Sequence, residues 1–232
     1  MMSAATDISN AGKADAQELQ TIYSRRFQGN QAYRIRVWRV LVRHFFQKHI
    51  PCDGTVLDLG CGYGEFINSV TAHVKYGMDL NPATVDHLAS EVKMLRQDCS
   101  ARWDLPDGSL DAVFTSNFFE HLPDKATLAR TLQQAHRCLK PGGRLIAMGP
   151  NIKHLPGAYW DFWDHYLPLT ELSLSEGLET NGFAVEICHG RFLPYTMVSA
   201  REYPDFVLKC YLGLPWVWRF FGRQFLVVAR KR

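Results

Sequence analysis

Val56-Leu57-Asp58-Leu59-Gly60-Cys61-Gly62-Tyr63-Gly64-Glu65-Phe66 is where the chain's pattern changes most sharply. An apolar run ends in an acid, three alternating glycines follow, and an apolar-patterned segment begins after them. That order reads as a buried first strand, a tight turn and a helix starting near 64 and running to about 72. Glycines at 60, 62 and 64 let the turn pass close beneath a ligand, because no Cβ stands in the way. The helix start would aim its free N–H groups at whatever lies above. A dinucleotide is not the expected ligand. In a G-x-G-x-x-G fingerprint the third glycine would stand at position 65. Glu65 occupies that place, and a carboxylate in the first helical turn opposes a pyrophosphate. A ligand with a cationic centre suits the turn better.

On either side of this turn, short apolar runs alternate with amphipathic stretches. Strands are expected near 54–59, 74–79, 95–99, 111–116 and 143–149. Helices are expected near 82–93 and 124–139, the second stopped by Lys140-Pro141-Gly142-Gly143. A further helix near 170–181 ends at Asn181-Gly182, a strand covers about 183–189, and Phe225 to Arg230 reads as a last strand. Alternating β and α units predict an α/β fold with a parallel, doubly wound sheet. Two helices within 15–50 precede the glycine turn. The second spans about Gln31 to His49, with Tyr33, Val37, Val40, Leu41 and Phe45 at helical spacing. Residues 1–14 are expected to be disordered, and 15–232 to form a single domain.

Composition bounds the function. The 232 residues are 47% hydrophobic and 21% charged, enough for one ordinary core. A net charge of +3 is too weak by itself to imply a nucleic-acid partner. Six scattered cysteines without a C-x-x-C pair read as reduced thiols of a cytoplasmic protein. The N-terminus lacks the pattern of a signal peptide, and no stretch is long and apolar enough to span a bilayer. Between Thr21 and Ile50, Arg25, Arg26, Arg34, Arg36, Arg39, Arg43 and Lys48 stand without one acid. The plainer reading is a solvated helix face; the other is an anion-facing entrance to the site.

Asp58-Leu-Gly60-Cys-Gly62-Tyr-Gly64 resembles the S-adenosylmethionine (SAM) binding glycine motif of class I methyltransferases. SAM carries a sulfonium, an ammonium and a carboxylate but no phosphate. The resemblance covers about Val56 to Ile187. It implies a Rossmann-like seven-stranded sheet whose last strand is antiparallel, with Asp58, Gly60, Gly62 and Gly64 around the cofactor. Asp79, in Gly77-Met78-Asp79-Leu80-Asn81-Pro82, lies at the distance of an acid accepting both ribose hydroxyls, with Leu80 beside it. A carboxylate has two oxygens and can take both at once, and Asn81 fits the cap of the helix starting at Pro82. Asp98 and Cys99 match the place where an acid receives the adenine amino group and the next backbone N–H reaches a ring nitrogen. The plainer reading of Asp98 is a solvent-facing turn acid.

Leu110-Asp111 to Asn117, followed by Phe118-Phe119-Glu120-His121-Leu122, resembles the family's D-x-V…E-H-L pattern. It implies that Asn117 lies under the sulfonium. His121 is either a general base or a helix-start histidine bonded for structure. The least generic stretch follows the fifth strand, from Gly149-Pro150-Asn151 through Tyr159-Trp160-Asp161-Phe162-Trp163-Asp164-His165-Tyr166. As a substrate loop, its aromatics would stack on a sugar or ring, while Asp161, Asp164 and His165 bind hydroxyls or remove a proton. The alternative is aromatic packing under a loop. Two histidines and two acids raise the question of a metal, but the spacing matches no standard site and none is expected. The candidate catalytic residues are therefore His121, Asp164 and His165.

The expected protein is a SAM-dependent methyltransferase acting on a small-molecule, sugar or lipid-linked acceptor through a hydroxyl. S-N-F-F-E-H-L, the Tyr159–Tyr166 stretch and L-P-Y-T at 193–196 resemble bacterial methyltransferases of polysaccharide and glycan biosynthesis. Two rivals are a nucleic-acid methyltransferase using the Arg25–Lys48 surface and a non-catalytic SAM-binding scaffold. The lack of [DNS]-P-P-[YF] after the fourth strand counts against amino methylation of bases. Within an added segment at 190–224, residues Arg201 to Arg223 make a long connection between the last two strands. They read as a cap over the substrate pocket or a dimer contact. The other reading is an interfacial segment resting on lipid headgroups, a peripheral membrane contact. The oligomeric state stays open.

Overall fold

The computed structural model describes residues 31–195 and 202–232. The 1–14 tail, the first N-terminal helix, Arg25, Arg26, Thr196 and Arg201 lie outside the described residues. Helix α1 (Gln31–His44) buries Tyr33, Val37, Val40 and Leu41 along one stripe and gives way to a short 3-10 turn at Phe46–His49. Strands β1 (Thr55–Leu59), β2 (Val74–Met78), β3 (Val92–Leu95), β4 (Leu110–Ser116) and β5 (Leu139–Pro150) pair in parallel. Helix α2 (Lys125–Cys138) starts at Asp124, whose carboxylate accepts the Thr127 N–H at 2.7 Å. Helix α3 (Glu171–Thr180) begins in a reciprocal Thr170–Ser173 cap and leads to β6 (Phe183–His189). Helices α4 (Asp205–Gly213) and α5 (Pro215–Phe221) precede β7 (Gln224–Lys231).

The sheet order is β3-β2-β1-β4-β5-β7-β6, and β7 runs antiparallel to both neighbours. This is the expected seven-stranded Rossmann-like sheet with its antiparallel last strand. One face is covered by a core that includes Leu128, Leu132 and Ala135 of α2 and Leu174 and Leu178 of α3. The other face carries α1, the segment after the glycine turn, and the α4–α5 pair. There Phe66 stacks on Phe114 at 3.6 Å, and Trp218 meets Phe192 edge-on at 4.9 Å.

Three expectations are corrected. No α-helix forms over 64–72; the segment is a set of turns. Asn68 offers a reason, because its amide donates to the His87 carbonyl and accepts from the Ala89 N–H. Side-chain bonds of this kind compete with a helix ladder. The helix expected over 82–93 is a 3-10 turn at Pro82–His87, capped by Asn81 as anticipated. The third strand sits at Val92–Leu95 rather than 95–99, paired from Lys75↔Val92 to Met78↔Leu95. It therefore begins too early to leave room for a longer helix. Asp98 and Cys99 accordingly lie in the loop beyond β3.

Candidate active site

The chain leaves β1 through Gly60, Gly62 and Gly64, with φ of +72°, +52° and +74°. At Gly60 space decides as well as φ, since a Cβ there would collide with the Phe118 ring. The N–H groups of this turn are used within the protein. Those of Gly60 and Cys61 donate to the Met78 carbonyl at 2.8 and 3.1 Å. The Gly62 N–H donates to Asp79 Oδ2 at 2.8 Å, and the Asn81 N–H to Asp79 Oδ1 at 2.9 Å. The expected open helix N-terminus is thus replaced by a turn clamped to the acid at the end of β2. Both oxygens of Asp79 retain lone pairs for a further donor.

Three acids gather at this turn. Asp58 is buried beneath it, and burial, reinforced by the charges of Glu65 and Asp79, holds its carboxyl well above the usual range. Burial also raises Asp79, against the backbone N–H bonds that favour its ionised form. Glu65 is buried and ion-paired with Arg34 of α1. Acids raised by burial and by one another favour the arrival of positive charge. A sulfonium with an ammonium fits such a turn, and a pyrophosphate does not.

The other proposed cofactor residues are less uniform. Leu80 is exposed beyond β2. Asp98 is exposed, and its Oδ1 accepts the Ser100 N–H at 2.7 Å, the geometry of a turn acid. Cys99 is buried; its carbonyl accepts the buried Trp103 indole N–H at 2.8 Å, which anchors this loop to the core. Asn117 has φ +51°, alone among the described non-glycine residues in the left-handed region. Its N–H donates to the Met148 carbonyl at 2.9 Å, so β5 holds it in that conformation.

Past Asn117, a 3-10 turn at Phe119–His121 carries the candidate histidine into contact with the loop after β5. His121 Nδ1 donates to the Asp164 carbonyl at 2.8 Å and lies 3.1 Å from Asp164 Oδ2. Burial alone would depress this imidazole, but the Asp164 bond and the charges of Glu120 and Asp164 outweigh it and raise its pKa. His165 is buried, and its Nδ1 donates to the Tyr159 carbonyl at 2.9 Å. The two imidazoles meet edge-on at 5.0 Å. His121, Asp164 and His165, separate in sequence, therefore form one group at the carboxyl ends of β4 and β5, and His121 electrostatically reaches Asp79.

The loop aromatics divide. Tyr159 is fully buried and Phe162 stacks on His165 at 4.8 Å, so these two pack the histidine in place. Trp160 and Trp163 face outward, and Asp161 is exposed. One member of the group escaped the sequence reading. Glu120 is only 4% exposed, and one ligand atom from each of Glu120, His121 and His165 lies within 4.8 Å of the others. The signal was the Glu-His doublet just past β4. The arginine patch is partly consumed by ion pairs, Arg34 with Glu65 and Arg36 with Asp205 at 3.2 Å.

Residues 30–186 match the family model described as a methyltransferase domain. The chain belongs to that family and carries a class I SAM-dependent methyltransferase domain. It is 35% identical over 148 residues to a probable S-adenosylmethionine-dependent methyltransferase of Mycolicibacterium smegmatis, covering 61% of this chain and 56% of that protein. It is 28% identical over 155 residues to a 2-methyl-6-phytyl-1,4-hydroquinone methyltransferase of Synechocystis, covering 57% and 47%. The chain thus spans about half the length of these curated relatives. Its fold superposes on a SAM-dependent methyltransferase from Archaeoglobus fulgidus with a TM-score of 0.65 at 21% identity, over 91% of this chain and 99% of that one.

Proposed function

We propose that this enzyme methylates a hydroxyl of a small-molecule, sugar or lipid-linked acceptor. The carrying observation is the group of buried Glu120, Asp164 and His165 with half-buried His121 beside the glycine turn. Bound SAM supplies a methyl group on a sulfonium, already activated for in-line transfer. A hydroxyl must also lose a proton as it attacks, whereas an amine attacks through its lone pair. An imidazole–carboxylate group is suited to that task. In this reading Asp79 holds the ribose, Asp98 and Cys99 the adenine, and Asn117 faces the sulfonium. The conversion turns acceptor hydroxyl and SAM into methyl ether, S-adenosylhomocysteine and a proton.

A second observation favours a lipid-linked acceptor within that class. Trp218 of α5 is 4% exposed and belongs to the core, while Trp216, Phe220 and Phe221 are 62%, 66% and 62% exposed. Beside them lies a cleft of about 520 Å³ lined by His189, Arg191, Trp216 and Arg219 among others. Aromatics next to arginines suit an anionic membrane surface. No helix among the described residues is long and apolar enough to cross a membrane. The phytyl group named for the Synechocystis relative's acceptor is consistent with a lipid-soluble substrate. The 190–224 segment then combines a cap, through Trp218, with a peripheral lipid contact. A nucleic-acid acceptor is disfavoured by the ion pairing of Arg34 and Arg36.

Incubation with labelled-methyl SAM and fractionated host extract tests the reading. Label in a lipid or glycan fraction, as a base-stable ether, is expected; label confined to RNA or protein overturns it. His121→Ala, Asp164→Asn and His165→Ala should each lower turnover, by roughly a hundredfold for the group removing the proton, with SAM affinity unchanged. Full turnover in all three would leave alignment alone to carry the chemistry.

A further inference from the structure

Proton removal at this site has a second route, and the donor atoms point to it. Glu120, His121 and His165 place one carboxylate oxygen and two imidazole nitrogens within 4.8 Å of one another. They come from two separate segments, the turn after β4 and the loop after β5. Both rings are set for metal ligation. A carbonyl oxygen only accepts, so the His165 Nδ1 bonded to the Tyr159 carbonyl carries a proton, which puts the lone pair on Nε2. His121 Nδ1 is held in the same way by the Asp164 carbonyl, with the Asp164 carboxylate 3.1 Å away. A carboxylate or carbonyl behind a ligating imidazole is the usual outer shell of a metal site.

An independent observation points into the same place. The Tyr159 hydroxyl is buried and makes no hydrogen bond. The Tyr159 ring lies 4.8 Å from that of His165. A buried tyrosine hydroxyl normally has a partner, and a cation with its remaining oxygen ligands would supply one.

We propose that Glu120, His121 and His165 bind a divalent transition-metal ion that activates the acceptor hydroxyl. Two imidazoles and one carboxylate favour Mn²⁺, Co²⁺, Ni²⁺ or Zn²⁺ over Mg²⁺ or Ca²⁺, which prefer all-oxygen sites. Ligands about 2.1 Å from one centre stand roughly 3–3.5 Å apart, so side-chain shifts of about 1 Å close the site. The inference rests on the hydroxyl-acceptor reading and deepens it. The acceptor oxygen takes an open position on the cation, its O–H bond weakens, and the proton passes to solvent. The oxygen lone pair then forms the new O–C bond while the S–C bond breaks, its electron pair staying on the neutral thioether sulfur. Asp164 becomes a positioning residue for His121.

Co²⁺ is the probe, because its visible spectrum reports ligation without any turnover. Chelator-treated protein is expected to bind one equivalent and to develop nitrogen- and oxygen-ligated cobalt bands. Glu120→Gln and His165→Ala should weaken binding at least tenfold, and Asp164→Asn about tenfold, the scale of an outer-shell change. His154→Ala, outside the group, should bind as the wild type does. Thermal stabilisation by SAM in each variant shows that the fold is intact. No cobalt bands in the wild type, or undiminished bands in the Glu120→Gln, His165→Ala double variant, overturns the site. Full methyl transfer by metal-free protein overturns its catalytic role and leaves the hydroxyl reading standing. Cobalt bound by these residues with the label found on nitrogen or carbon supports the site and sinks the hydroxyl reading alone.

Discussion

Asp58 sits under the glycine turn with its carboxyl raised by burial, by Glu65 and by Asp79. The direction has a consequence for stability. An acid whose native pKa stands above its unfolded value binds a proton more readily when folded. Its contribution is full below the unfolded pKa and falls as pH rises towards and through the native one. Above that native pKa the ionised group works against the free protein, and a cationic ligand relieves it. Asp58→Asn, whose side-chain oxygen still accepts the Ile67 N–H, should raise the melting temperature of the SAM-free protein increasingly as pH rises and weaken SAM. Scanning calorimetry across pH with and without SAM decides this, and a variant that loses stability relative to wild type as pH rises would be the wrong sign. Asp79 is the companion case. Its two oxygens hold Gly62 and Asn81, so Asp79→Ala should cost about 1.5–3 kcal/mol of SAM binding, the scale of bonds to a charged acceptor. Unchanged affinity by titration calorimetry, in a folded variant, would remove Asp79 from the ribose site. That an acid stands at each place was legible in the sequence. That Asp58 is buried, Asp98 exposed and Glu120 turned inward was not, because burial is set by strands and loops distant in sequence.

Helices α4 and α5 illustrate what a single element can and cannot disclose. Their aromatic content is plain, yet Trp216 and Trp218 have opposite fates two residues apart. Trp218 donates to the Tyr211 carbonyl at 2.8 Å and packs on Phe192, while Trp216 faces outward. Trp218→Ala should therefore cost about 3–5 kcal/mol of stability through the cavity left behind, and it is the wrong variant for a membrane test. Trp216→Ala with Phe220→Ala should leave the melting temperature within a degree or two, since exposed sites contribute little. The same pair should abolish sedimentation with anionic liposomes. Wild-type protein that stays in the supernatant at low salt would leave α5 as a cap or a contact between copies. The segment after the glycine turn was misread for a related reason. Its apolar spacing is helical, but Asn68 ties it sideways to His87 and Ala89, bonds that periodicity cannot register.

Across the molecule, a buried ion pair joins α1 to the cofactor turn, Arg34 with Glu65. Arg34→Ala would leave a carboxylate buried beside Asp58 and Asp79, at a cost of about 3–5 kcal/mol. Glu65→Gln added to that variant should recover most of the loss. Denaturant unfolding of the two variants measures the coupling, and a double variant no more stable than Arg34→Ala would show that Glu65 is held by other groups. The pair also explains Glu65 itself, which the fingerprint argument could treat only as an obstacle to phosphate.

The glycine turn and the acids after β2 and β3 follow from local pattern, and the antiparallel last strand from the family resemblance those motifs carry; the order of the strands came from the structure. Apolar runs, turn residues and spacing are properties of short stretches, and they suffice to name the family and its cofactor. The candidate active-site group does not follow from them. His121 and Asp164 are 43 residues apart, and nothing along the chain says that the turn after β4 and the loop after β5 face each other. Only the parallel pairing of β4 with β5 brings their carboxyl ends together, and only packing by Tyr159 and Phe162 on His165 and the Asp164 contact to His121 set the two imidazoles beside Glu120. Side chains far apart in sequence acquire a common chemistry through the sheet that holds them.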